Sequence, residues 1–269
     1  MKEVFVFCLA LAFSCRSEPQ NHAPSPRIVS LLPNVTEILF EMGLGNHIVG
    51  ATRYCTRPKE ALSIPRVGGI LDVSSEAVLR VRPDIVIGSP SVLRGRTKAI
   101  LEEAKIKVLP MTIETLDQMF KAIETIGQVT KKEQEAYVLA QKMRERMNAL
   151  RGCAKPLNTV FVVGRNPLVV AGPASTQGAI MEVMGLKNLV EGGVVPYPTW
   201  SPEQLIKAQP DLVIDGSIEG GSLLDLLQSM GFSKTLVIRL NDDALLRPAP
   251  SMLEGAVWLC DKISQMVSK

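Results

Sequence analysis

The chain has 269 residues, 46% of them hydrophobic and 21% charged, with a net charge of +3. A single hydrophobic core stops growing near this length, so two domains of roughly 100 to 130 residues each are expected. The charge is spread without basic runs and aromatics make up only 4%, which argues against a nucleic-acid surface. Two histidines, and five cysteines in no CxxC spacing, leave a bare transition-metal site without its usual donors.

The chain begins Met1-Lys2-Glu3 and continues with an apolar run from Val4 to Phe13, Ser14-Cys15, and a polar stretch to Pro26. The run is too short to cross a bilayer of about 30 Å as a helix. It reads as a secretory signal, so residues 1–14 are expected to be removed. Cys15 ends the run as in a bacterial lipoprotein signal, with Leu11 one place earlier than usual, and is the candidate lipidation site. Residues 15–26 then read as a disordered tether to the membrane. Cys55, Cys153 and Cys260 remain, and an odd count leaves at least one thiol free. An oxidising compartment permits a Cys153–Cys260 bridge, although spacing alone does not assign it.

The segment 27–114 alternates strands and helices: a strand over 28–32, a helix from Pro33 to Met42, and strands over 48–51 and 107–110. The segment 115–151 reads as a helical linker broken near Gly127, with Thr130-Lys131-Lys132-Glu133 as a capping box that opens its second helix. Apolar residues at Ala136, Leu139, Ala140, Met143, Met147 and Leu150 give that helix one packing face. The segment 152–269 repeats the alternation, with strands over 159–163, 168–171 and 235–239. Helices are expected over 175–184, near 223–230, and from Ser251 onward. The fold class is therefore α/β: two Rossmann-like lobes with mostly parallel sheets, joined by a long rigid α-helical linker.

One pattern occurs twice. Ser74-Ser75-Glu76 leads to Pro83-Asp84 and Ile85-Val86-Ile87, and Ser201-Pro202-Glu203 leads to Pro210-Asp211 and Leu212-Val213-Ile214. Each copy reads as a Ser-capped short helix, a Pro-Asp turn and a fully apolar buried strand. Glu76 and Glu203 fit helix-start chemistry, since a carboxylate suits the positive end of the helix dipole. They equally suit a two-fold symmetric partner that takes one carboxylate from each lobe.

Neither histidine is placed for catalysis, and GxGxxG, P-loop and GxSxG motifs are absent. A secreted two-domain enzyme using cleft carboxylates is the alternative outside binding proteins. Tyr54, Tyr197 and Trp200 fall on loops, where aromatics facing a cleft hold large planar ligands; each equally could plug a loop onto its own lobe. Arg165, Asp243 and Arg247 are the charged groups best placed to line the same cleft.

The segments Arg27-Ile-Val-Ser-Leu-Leu-Pro-Asn-Val-Thr-Glu-Ile-Leu-Phe, Pro65-Arg-Val-Gly-Gly, both Glu-bearing repeats and Leu246-Arg-Pro-Ala-Pro250 resemble the substrate-binding proteins of ABC importers for vitamin B12, iron-siderophores or haem. The resemblance runs from Arg27 to the C-terminus and is nearest the cobalamin-binding branch. It implies a non-enzymatic monomer of the periplasm or cell surface, with no cofactor of its own, carrying cobalamin or another corrinoid to an importer permease and its ATPase. A siderophore or haem is the alternative ligand. It also implies ligand contacts at Tyr54, Tyr197 and Asp243, and permease docking through Glu76 and Glu203. Ile70 and Ser89 stand where that branch carries tryptophan, and Trp200 is an additional aromatic.

Overall fold

A computed structural model describes residues 26–217 and 234–267. The signal segment 1–14, Cys15, nearly all of the tether and the helix expected near 223–230 lie outside the described residues.

In the first lobe β1 (Ile28–Ser30), α1 (Pro33–Glu41), β2 (Ile48–Ala51), α2 (Ser75–Arg80), β3 (Ile85–Gly88), α3 (Gly95–Glu103) and β4 (Lys107–Pro110) build a parallel sheet in the order β2-β1-β3-β4. Its central strands are apolar on both faces because helices cover both sides. Ile28, Ile85 and Ile87 enter the main core, whereas Val29 and Val86 enter a second cluster with Val78 and Leu101.

The linker is a helical hairpin of α4 (Leu116–Thr130) and α5 (Glu133–Ala149). It breaks at Lys131, which adopts the left-handed conformation with φ 58°, and not at Gly127. Gly127 lies inside α4, where an added Cβ would come within 2.6 Å of Ala136 Cβ, so it lets the two helices approach closely. The expected capping box does not form. Thr130 donates its hydroxyl back to Ile126 O at 2.7 Å, and Lys132 occupies the cap position without a side-chain cap bond.

The second lobe contains β5 (Asn158–Arg165), β6 (Leu168–Val170), α6 (Thr176–Met184), β7 (Lys187–Asn188), α7 (Pro202–Ala208), β8 (Leu212–Asp215), β9 (Leu236–Arg239) and α8 (Met252–Val267). The sheet order is β6-β5-β8-β9, with β7 also on β5. Every pairing is parallel except the β5–β6 hairpin. A disulfide joins Cys153 to Cys260 on α8, and Cys55 is a buried free thiol.

The repeat has a physical basis in both lobes. Ser74 Oγ accepts from Ala77 N, and Ser201 Oγ accepts from Gln204 N within a full capping box. The Pro-Asp turn clamps the start of each first strand: Asp84 Oδ2 accepts from Arg27 N at 2.7 Å, and Asp211 Oδ2 from Asn158 N at 2.9 Å. One contiguous apolar cluster runs from Ile38 and Leu39 of α1 through Ile123 and Met143 of the hairpin to Ile180 and Leu253. Reorienting one lobe against the other would disrupt that packing.

Candidate functional site

Ligands of parallel α/β sheets bind beyond the carboxyl ends of the strands. Here those ends carry Tyr54 after β2, Ser89 after β3, Arg165 ending β5, Asp215 ending β8, and Asp243 after β9. On the first-lobe side Tyr54 is 51% exposed, with the Arg53 guanidinium 5.8 Å from its ring. Arg53 also pairs with Asp72 and so ties the loop carrying exposed Ile70 and Leu71 to the end of β2. Ser89 is half-buried, and its hydroxyl meets that of Ser91 at 2.8 Å.

The second-lobe side is polar and internally bonded. Arg165, 12% exposed, donates to Asp215 at 2.9 Å and to Ser217 Oγ at 2.6 Å, and Asp215 is 1% exposed. Ser217 N adds a bond to Asp215 Oδ1 at 3.1 Å. Tyr197 donates to Gln177 Oε1 at 2.9 Å, and Gln177 in turn donates to Leu245 O at 2.8 Å. Burial, reinforced by the Glu114 charge, pushes the Tyr197 phenol above its ordinary pKa. Trp200 packs with Val160, Val213 and Leu205. That is the α7 face of the sheet, whereas Phe161, Leu212 and Ile214 face the main core.

The lobes meet at Asp243. Its Oδ1 accepts from Arg57 Nε at 3.2 Å and its Oδ2 from Arg247 Nη1 at 2.6 Å. Arg57 also reaches Asp242 at 3.0 Å, and Arg247 Nη2 reaches Glu37 of α1 at 3.4 Å. Glu37 is buried and accepts from Ser251 N at 3.3 Å. Burial alone would raise the Asp243 pKa. The guanidiniums of Arg247 and Arg57 prevail and hold it below the ordinary carboxylate range. Asp243 lines two cavities: one of about 500 Å³ with Glu37, Phe40, Arg57, Ser251 and Glu254, and one of about 340 Å³ with Asp215, Ser217 and Asn241.

Glu37, Arg57 and Asp215 were not among the sequence candidates. Glu37 sits inside the quoted Pro-Asn-Val-Thr-Glu segment, but its partners lie more than two hundred positions away in sequence. Among the described residues no group of three or more His, Cys, Asp or Glu side chains is arranged to hold a metal ion.

Glu76 and Glu203 both lie exposed in the first turns of α2 and α7. A hydrogen bond with Ser201 holds the Glu203 carboxyl below its ordinary pKa. Neither carboxylate forms an ion pair among the described residues, so both charges are presented to solvent.

Two α/β lobes on a packed helical hairpin, with charged groups meeting across their boundary at the strand ends, define a two-lobe solute-binding protein. A family model described as "Periplasmic binding protein" matches residues 28–223, and the chain belongs to that family. It is 27% identical over 251 residues to the vitamin B12-binding protein of Vibrio cholerae, covering 90% of this chain and 91% of that one. The crystal structure of periplasmic vitamin B12 binding protein BtuF of Vibrio cholerae superposes with a TM-score of 0.72 at 25% identity, covering 91% of this chain and 99% of that one. The periplasmic heme-binding protein RhuT from Roseiflexus sp. RS-1, in apo form, gives a TM-score of 0.75 at 26% identity, covering 89% and 98%.

Proposed function

We propose that this protein is an extracytoplasmic receptor that captures a metal chelate between its lobes, cobalamin or another corrinoid first, and delivers it to an ABC importer. The meeting of both lobes at Asp243, which lines one cavity at the ends of β8 and β9 and a larger one reaching α1 and α8, carries this reading. A corrinoid or haem is broad enough to touch both walls at once. Tyr54, Ile70 and Ser89 would supply one wall, and Arg165, Tyr197, Asp243 and Arg247 the other.

The name and structure of the vitamin B12-binding relatives support cobalamin. Tyr54 supports haem as the second ligand, because an exposed phenol is a known iron ligand and Ile70 and Ser89 remove two large planar walls. An enzyme using cleft carboxylates is less well supported: Asp215 is buried on Arg165 and Asp243 is shared by two guanidiniums. The protein would act as a monomer, with residues 27–114 and 152–269 as its lobes and 115–151 as the linker. Cys15, if lipidated, would anchor it to the membrane, which incorporation of labelled palmitate and its loss in Cys15→Ser would test.

Equilibrium dialysis of the mature protein against cyanocobalamin, haemin and ferric siderophores, followed by visible absorbance, tests the ligand. Saturable one-to-one uptake of cyanocobalamin at micromolar concentration or below supports the first choice. Uptake of haemin alone moves the assignment to the second. Uptake of none sinks the chelate reading.

A further inference from the structure

We propose that Glu37 and Arg57 are positioning residues of the cleft, each reaching across the lobe boundary to fix one charged side chain of the opposite wall. The proposal rests on the reading that Asp243 and Arg247 face the ligand. Arg57, on the loop after β2, holds Asp243 through Nε at 3.2 Å and Asp242 through Nη2 at 3.0 Å. The fork geometry of a guanidinium lets one side chain fix two neighbouring carboxylates. Glu37, on α1, takes Arg247 Nη2 on one oxygen and Ser251 N on the other. Asp243 and Arg247 then close the array on each other at 2.6 Å. Asp243 and Arg247 therefore each have their orientation set from both lobes, and positive and negative groups alternate along the array.

Two observations separate positioning from simple bracing. The Asp243 side chain is 41% exposed and lines both cavities. A pair built only to brace the lobes would bury its members, whereas this carboxylate is held by two guanidiniums and still presents an open edge to a ligand that brings a donor. In addition, bracing is already provided by α5. Lys142 and Arg146, one turn apart on α5, reach Glu41 of α1 at 3.2 Å and Glu254 of α8 at 4.0 Å, and the apolar cluster runs beneath them.

A double-mutant cycle tests the proposal, with cyanocobalamin and haemin as the probes and thermal melting as the control for folding. Arg57→Gln is expected to weaken binding of the captured chelate about tenfold, the scale on which loss of an orienting partner acts, with little change in melting temperature. Arg57→Lys keeps the charge but not the fork, and is expected to restore only part of the affinity. Because Arg57 acts through Asp243, Arg57→Gln with Asp243→Asn should bind no more weakly than Asp243→Asn alone. Glu37→Gln with Arg247→Gln should show the same non-additivity. Additive losses, or wild-type affinity in Arg57→Gln, overturn the positioning role. Wild-type affinity in both Asp243→Asn and Arg247→Gln removes the ligand contacts themselves, and the proposal with them.

Discussion

The two lobes carry matching helices at Glu76 and Glu203, but their cleft walls are built differently. The first-lobe wall ends in an exposed Tyr54 and a loop tied by one surface ion pair, Arg53 to Asp72. The second-lobe wall is a set of closed networks: Arg165 on Asp215 and Ser217, and Tyr197 on Gln177 and Leu245 O. Exposed pairs contribute little and rearrange easily, whereas buried charge pairs hold one geometry because breaking them is costly. On the proposed reading the second lobe would supply a preorganised half-site and the first an adaptable edge. This division suits a receptor whose relatives bind different planar chelates.

The contrast can be broken most severely at Arg165. Arg165→Met leaves Asp215 buried without its counter-ion, and urea unfolding should show a loss of about 3–5 kcal/mol; a loss below about 1 kcal/mol would mean the pair is not a fixed element of the wall. Tyr197→Phe removes the hydroxyl donor to a buried Gln177 and should cost about 1 kcal/mol in the same assay. Tyr54→Ala should change stability by less than about 0.5 kcal/mol, as expected for an exposed side chain, while weakening chelate binding in dialysis. If Tyr54→Ala instead unfolds the protein, the first-lobe edge is structural and the contrast fails.

The smallest expected effect is on the acid side. The folded-state pKa of Asp243 is depressed below its ordinary value of 3.8, so its contribution is complete above that value and is lost as pH falls through the folded pKa. Asp243 is partly exposed, so solvent screening keeps the effect small. Asp243→Asn should flatten the corresponding part of a melting-temperature profile measured below pH 4.

Much of this organisation was legible in the chain because it is local. The Ser cap, the Pro-Asp turn and the apolar strand appear in sequence order, and their repetition predicts α2–β3 and α7–β8. Gly127 signals a linker break by residue type, although here it serves a close helix contact. Lys131 carries no such signal and still takes the left-handed turn. Glu37 and Arg57 carry no local signal because their partners lie in the other lobe, and no spacing rule links α1 to the residues before α8. Trp200 showed a similar limit. A loop aromatic has no periodicity to reveal its face, and this one packs on the α7 side of the sheet.

The similarity between the lobes, like their difference, leads to one experiment. ATPase stimulation of the cognate importer, reconstituted in liposomes, should be measured with chelate-loaded wild-type protein, Glu76→Ala, Glu203→Ala and the double variant. A two-fold docking surface predicts partial loss in each single variant, abolition in the double variant, and unchanged chelate affinity in all three. Full stimulation by the double variant would contradict it.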